Sequence, residues 1–183
     1  MKKTGYILVA LMLTGVGLVY GQAEYRTLYD AASHGVLTDV TRHLQKGANV
    51  NAAGEGGRTP LMAAAQDGAF DVVQLLIEKG ADLNAKDEHG NTALMMLARQ
   101  GELTIFKLLV VKKADVNAKN NDGETALMMA IDDSNRPEYK AVIGYLVKNG
   151  ADVNAKDNDG RTPLALACEQ SHRDGYMEIV RFL

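Results

Sequence analysis

The sequence predicts an all-α repeat solenoid of about five helix-turn-helix units. Three series of residues carry that expectation. Thr-x-Leu recurs at Thr59-Pro60-Leu61, Thr92-Ala93-Leu94, Thr125-Ala126-Leu127 and Thr162-Pro163-Leu164. A second series recurs as Asn49-Val50-Asn51-Ala52, Asp82-Leu83-Asn84-Ala85, Asp115-Val116-Asn117-Ala118 and Asp152-Val153-Asn154-Ala155. Gly57, Gly90, Gly123 and Gly160 keep step with both, at spacings of 33, 33 and 37 residues. A period shared by independent markers is the mark of stacked units, each unable to bury its apolar face alone.

Residues 1–23 differ in kind from the rest. Lys2 and Lys3 make a positive start, an apolar run extends from Tyr6 to Tyr20, and Gly21 and Ala23 fit the −3 and −1 positions of a cleavage after Ala23. Cleavage after Gly21, with Val19 at −3, is the alternative. This is the three-part layout of a secretory (Sec-type) signal peptide. The rival is an uncleaved anchor helix, but the run is shorter than the roughly 20 apolar residues of a membrane-spanning helix, so cleavage is expected, with no stable membrane insertion after it. The one cysteine, Cys168, is far from the cleavage point, which argues against a lipid anchor. Cleavage removes two of the 20 basic residues and none of the 23 acidic ones, leaving an acidic mature chain.

Residues 24–183 then divide into repeats of approximately 24–57, 58–90, 91–123, 124–160 and 161–183. In each, a threonine (Thr59, Thr92, Thr125, Thr162) suits the N-cap, where its hydroxyl accepts from an orphan helix N–H. Pro60 and Pro163 follow at the first helical position, where a missing N–H costs nothing. A short Ala/Leu/Met helix ends near Gly68 or Gly101. A second helix carries Val72, Val73, Leu75, Leu76 and Ile77 in one repeat and Ile105, Phe106, Leu108, Leu109 and Val110 in the next. Gly47, Gly80 and Gly150 close these second helices in the left-handed conformation that glycine adopts cheaply. Asp87-Glu88-His89-Gly90 and Asp157-Asn158-Asp159-Gly160 are tight turns. The first repeat is degenerate: Arg26 stands at the cap position, and Thr41-Arg42-His43 interrupts the outer apolar run, as suits a polar terminal unit. The last reaches Leu183 inside its second helix, either frayed or covered by a partner, with Ile179, Val180, Phe182 and Leu183 as an apolar end able to pair.

Arg58-Thr59-Pro60-Leu61-Met62-Ala63-Ala64-Ala65, with Val72-Val73-Gln74-Leu75-Leu76 and Gly80-Ala81-Asp82-Leu83-Asn84-Ala85, resembles the ankyrin repeat, and the resemblance extends over residues 25–183. It implies a curved stack of helix pairs, with β-turns projecting along one edge and an extended concave surface. It also implies partner contact at the turn tips and at the start and end of each inner helix. On this chain those positions are Glu55, Arg58, Gln66 and Asp67 in repeat two, and Glu88, His89, Asn91, Arg99 and Gln100 in repeat three. Repeat four gives Asn121, Asp122, Glu124, Asp132 and Asp133; repeat five gives Asn158, Asp159, Arg161, Glu169 and Gln170. The C-terminal half is acid-rich, with Arg161 the main exception, which favours a partner with a basic patch.

Four departures from the family pattern carry information. The histidine of the Thr-Pro-Leu-His motif is replaced by Tyr29, Met62, Met95, Met128 and Ala165, exchanging a hydrogen-bonding ladder for apolar contact. Lys113 stands where Gly80 and Gly150 stand, either as a soft point or as a cation on the helix C-terminal dipole. Repeats four and five each carry four extra residues between their helices, at Ser134–Glu138 and Ser171–Gly175, adding a helical turn or a protruding loop. Lying side by side, these insertions are either loop variation or a shaped partner site. Last, Met62, Met95, Met96, Met128 and Met129 form a stripe, with gap-filling thioethers as the leading account. A soft-metal or oxidation-sensing site is the rival.

Composition narrows the function classes. The chain is 46% hydrophobic and 23% charged, as in globular proteins, while aromatics reach only 5% beside 18 glycines, so small aliphatic packing with many turns is expected. A net charge of −3 gives nucleic-acid binding no support. His34, His43, His89 and His172 lack metal-ligand spacing, no phosphate-cradling glycine motif occurs, and no metal or cofactor is expected. Cys168 aligns with Ala65 and Ala98 and reads as a buried small hydrophobe rather than a nucleophile. The expectation is therefore a non-catalytic protein–protein interaction module of a bacterial periplasm, binding through its concave face and turn tips. The alternatives are a secreted effector that binds a host protein, and a periplasmic Met-rich metal or redox protein.

Overall fold

The computed structural model describes residues 25–100, 103–132, 137–169, 179–180 and 183. The signal segment, Asp133, Gln170, the Ser171–Gly175 stretch and the juxtaposition of the two insertions lie outside the described residues. Helices alternate as inner and outer members of successive repeats: α1 (Leu28–Ser33) and α2 (Leu37–Gln45), α3 (Pro60–Asp67) and α4 (Phe70–Glu78), α5 (Ala93–Gln100) and α6 (Leu103–Val111), α7 (Ala126–Asp132) and α8 (Pro137–Lys148), then α9 (Pro163–Glu169). The described residues contain no strand. Inner helices pack in unbroken series, α1 on α3, α3 on α5, α5 on α7 and α7 on α9, whereas contacts between outer helices are sparser.

The threonines cap as their chemistry demands. Thr59, Thr92 and Thr125 accept on Oγ1 from the amides of Met62, Met95 and Met128 at 3.3, 3.3 and 3.4 Å, and Thr162 accepts from Ala165 at 3.2 Å. In the first repeat the cap is Thr27, which accepts from Asp30 at 3.0 Å, rather than the exposed Arg26. A guanidinium has no acceptor to offer an orphan N–H, so the helix starts one residue later, at the hydroxyl. The methionines do more than make apolar contact: Met62 Sδ accepts from the Thr59 amide at 3.4 Å and Met95 Sδ from the Thr92 amide at 3.5 Å. A thioether thus closes the reciprocal capping box in which a Glu or Gln usually serves.

Between repeats, the Asn/Asp-x-Asn-Ala series forms a ladder. Asn51, Asn84 and Asn117 accept on Oδ1 from the amides of Asp82, Asp115 and Asp152 at 2.9, 2.8 and 2.8 Å. Beneath it one continuous core runs the length of the array, with Leu61, Leu94, Leu127, Met62, Met95 and Met128 all buried. Leu164 and Cys168, at the corresponding places on α9, are exposed. Cys168 is thus not buried like Ala65 and Ala98, because those alanines are covered by the inner helix of the following repeat and no described repeat follows α9. At the other end, Asp39 is buried, accepts from the Tyr25 amide at 3.1 Å and pairs with Arg42, while His43 Nε2 donates to the Tyr25 carbonyl at 2.9 Å. The polar residues of α2 therefore clasp the start of the array.

Two of the departures gain a structural meaning. Relative to α6, α8 is longer by the turn Pro137–Tyr139, so the insertion in repeat four extends the outer helix. Tyr139 is buried, and its hydroxyl donates to the Arg99 carbonyl at 2.7 Å, docking the extra turn on the end of α5. Lys113 has φ +74°, the one positive φ among the described residues that does not belong to glycine. Its counterparts Gly47, Gly80 and Gly150 have open space where a Cβ would stand, so the cost at Lys113 is conformational and partly offset by its charge near the helix C-terminus. Lys113→Gly is expected to stabilise the protein by about 0.5–1 kcal/mol, read as a raised urea midpoint at unchanged m-value. An unchanged or lowered midpoint would show that the dipole contact outweighs the strain.

Candidate functional site

The turn tips are built around one recurring side chain. Asp87, Asn120 and Asp157, each three residues before a turn glycine, are buried. Asp87 Oδ1 accepts from the amides of His89 and Asn91 at 2.9 and 2.8 Å. Asn120 Oδ1 does the same for Asp122 and Glu124 at 3.0 and 2.8 Å, and Asp157 Oδ1 for Asp159 and Arg161 at 3.0 and 2.8 Å. Successive tips are then bonded to each other: Glu88 N donates to Gly56 O at 3.0 Å, Asn121 N to His89 O at 3.0 Å and Asn158 N to Asp122 O at 2.9 Å. Asn121 and Asn158 add side-chain bonds from Nδ2 to the Glu88 and Asn121 carbonyls at 2.9 and 2.8 Å. The tips form a rigid edge from which exposed Glu88, His89, Asp122 and Asp159 project.

The second carboxylate oxygen has a different fate in each repeat. Asp157 Oδ2 accepts from Arg161 Nε at 2.8 Å, and Arg161 Nη2 also reaches Asp159 at 3.1 Å. Burial pushes the Asp157 carboxyl up, but the hydrogen bonds and charge of Arg161 outweigh it and hold the group below its ordinary range, while Asp157 raises Arg161. An acid whose folded pKa is depressed is protonated more readily in the unfolded chain, so its stabilisation is present above the ordinary value of 3.8 and disappears as pH falls through the lower folded one. Asp157→Asn is expected to cost about 1 kcal/mol at pH 7, discounted for the exposure of Arg161. Urea titrations should show the variant's deficit shrinking as pH is lowered below the ordinary carboxylate value, and a deficit that stays constant with pH would show that packing is responsible.

In the groove below, a hollow of about 280 Å³ is lined by Arg58, Gln66, Asp87, Asn91, Met96, Arg99, Gln100 and Met129. Arg58 Nη1 donates to Gln66 Oε1 at 3.1 Å, and Gln100 Nε2 donates to the Gln66 carbonyl at 2.8 Å. Asp87 Oδ2 is buried without a hydrogen bond, and Arg58 Nε stands 4.0 Å from it. Of the expected contact residues, the fold brings Arg58, Gln66, Asn91, Arg99 and Gln100 together here, and sets Glu88, His89, Asn121, Asp122, Asn158 and Asp159 on the tips. Asn91 and Glu124 are half-buried, both accepting from Asn120 Nδ2, at 3.2 and 3.0 Å. Asp132 ends α7, Glu169 ends α9 in solvent, and Asp133 lies outside the described residues. The sequence reading places Asp87 and Asp157 in turns without seeing them as anchors and passes over Asn120 and Tyr139, although the recurrence of an Asx residue three places before each turn glycine was a usable signal. Within the methionine stripe, Met62 and Met95 spend their sulfurs on helix caps, whereas Met96 and Met129 face the hollow.

Among the described residues no group of three or more His, Cys, Asp or Glu is placed to hold a metal ion, and no helix is long and apolar enough to cross a membrane. The sequence is similar to a family model described as ankyrin repeats (3 copies), which matches residues 28–120 and again 94–183. No curated protein matches it.

Proposed function

The chain belongs to the ankyrin-repeat family, and on that footing we propose that it is a non-catalytic binding protein that holds a partner protein across its groove and turn tips. Repeats of this family generally mediate protein–protein interaction. The observation that carries the reading here is the bonded row of tips, which presents charged side chains on a rigid edge and so spares the entropy of ordering a loop on binding. Its C-terminal half favours a basic patch on the partner. Arg161, the cation in that stretch, is already held by Asp157 and Asp159, leaving Asp122, Glu124 and Glu169 to set the field.

The three-part layout of residues 1–23 supports export to a bacterial periplasm as the place of action. Crosslinking capture from the native cell envelope, with the protein tagged at Glu24, should enrich one protein that is lost when Asp122 and Asp159 become Lys. Capture of nothing, or of the same protein by the reversed-charge variant, would overturn the reading. Fractionation divides the two locations: recovery from culture medium rather than the periplasmic fraction would favour an effector directed at a host protein.

A further inference from the structure

We infer that the outer-helix face of repeats three and four docks on an anionic phospholipid membrane, with Val111, Lys112 and Lys113 at its centre. This goes beyond the partner-binding reading and uses residues that the groove and the tips do not. Lys113 is strained without a local reason. Lys46-Gly47 and Lys79-Gly80 set a cation at the helix end and leave the left-handed residue to glycine. Lys112 already supplies that cation in repeat three, yet Lys113 holds φ +74° where the other repeats have Gly47, Gly80 and Gly150. A second lysine adds little to a dipole that Lys112 already meets. Retained backbone strain points to what the side chain meets outside the chain. Val111, just before, is 66% exposed, more than Leu37, Phe70 or Leu164.

Charge gathers around that apolar residue. α6 contains no acidic residue, and α8 has one, Glu138, ten residues before Lys148. Lys107 Nζ lies 5.7 Å from the centroid of the Tyr145 ring, so α6 and α8 stand side by side. Lys148 holds in α8 the place of Val111 in α6, and Asn117 Nδ2 ties the two helix ends together by donating to the Gly150 carbonyl at 2.9 Å. Lys112, Lys113 and Lys148 are exposed, and no carboxylate among the described residues pairs with them. The acids that follow in sequence, Asp115 and Asp152, turn Oδ1 onto the amides of Asn117 and Asn154, both at 2.9 Å. In repeat two the same place is Glu78, so the cationic face begins at repeat three. Ammoniums around an exposed valine match headgroup phosphates lying over hydrocarbon. Duplex nucleic acid would satisfy the lysines and leave Val111 in water. No helix among the described residues is long and apolar enough to cross a membrane, so the contact described is peripheral.

The test is co-sedimentation of the full chain at low salt with phosphatidylcholine vesicles, plain or containing about a third phosphatidylglycerol. Residues 1–23 are identical in every variant and cancel between them. The phosphatidylglycerol vesicles should bind the chain more tightly, and added salt should release it. Lys113→Gly should weaken that binding about fivefold, the scale of one lysine at an anionic surface, while raising the urea midpoint. Val111→Ser should weaken it about threefold at unchanged stability. Loss of binding without loss of stability separates docking from folding. Equal affinity for the two vesicle types, or Lys113→Gly binding like the parent chain, would overturn the proposal. Binding of acetyl-hexaglutamate amide or duplex DNA, with the phosphatidylglycerol vesicles unbound, would give the face to another polyanion and overturn the membrane as its occupant. The chain with Asp122 and Asp159 changed to Lys should bind vesicles no less tightly than its parent. An empty envelope capture therefore overturns the partner reading alone, and unbound vesicles overturn this one alone.

Discussion

Gly90→Ala is expected to cost about 3 kcal/mol and Gly160→Ala about 1 kcal/mol, although the two glycines occupy the same place in their turns. Their φ values are +77° and +79°, so the conformational cost of a side chain is the same at both. What differs is the neighbour. A Cβ at Gly90 would stand 2.6 Å from Asn121 Oδ1 and 2.8 Å from the Asn121 amide, in the backbone of the next tip. At Gly160 nothing lies within 4 Å. Gly123 meets Asn158 at the same distances as Gly90 meets Asn121, and Gly123→Ala should therefore behave like Gly90→Ala. Urea unfolding of the three variants separates the contributions. Equal losses at Gly90 and Gly160 would show that backbone strain alone sets the cost, and that the tips do not depend on close approach.

Phe106→Ala is expected to cost about 4 kcal/mol, the largest effect of a single side chain here. Phe106 is fully buried in α6 and meets the ring of Tyr145 in α8 edge-on, with centroids 6.4 Å apart and planes at 77°. Outer helices touch one another less than inner ones do, so this aromatic pair is a principal tie between repeats three and four in that layer. A double-mutant cycle with Tyr145→Ala should return a coupling of about 1 kcal/mol. Val111→Ser, five residues on but 66% exposed, should change stability by no more than about 0.5 kcal/mol. A loss at Phe106 of under about 2 kcal/mol would mean that the outer layer collapses to fill the space.

The period, the threonine caps and the closing glycines were legible in the sequence because each depends on chemistry within a few residues. The Thr27 cap shows the limit of alignment: the repeat register pointed to Arg26, and the hydroxyl next to it won. Cys168 shows another limit, since burial at that position is conferred by the following repeat rather than by the residue. Met62 and Met95 were legible as core, but not as acceptors for their own caps, because sulfur is a weak acceptor seldom counted in that role. Tyr139 became meaningful only once the extra residues of repeat four were seen to extend α8. In the groove, the contact positions were legible individually. That Arg58 lines one hollow with Arg99, 41 residues away, depends on which start of one helix faces which end of the next, and only the stacking geometry supplies that.

The rungs of the asparagine ladder have a direction. Asn51, Asn84 and Asn117 are acceptors in the earlier repeat, and Asp82, Asp115 and Asp152 bring the N–H from the later one. The backbone bonds between tips, from Glu88, Asn121 and Asn158 back to Gly56, His89 and Asp122, run the same way. A chain emerging N-terminus first, from the ribosome or from an export channel, therefore presents these docking oxygens before the amides that use them, whereas the forward bonds from Lys86, Lys119 and Asn117 to the Lys119, Lys156 and Gly150 carbonyls close only when the later repeat arrives. A finished repeat thus offers acceptors to the next, and assembly can advance with emergence as a zipper does, one tooth at a time, from the clasp at Tyr25 onward.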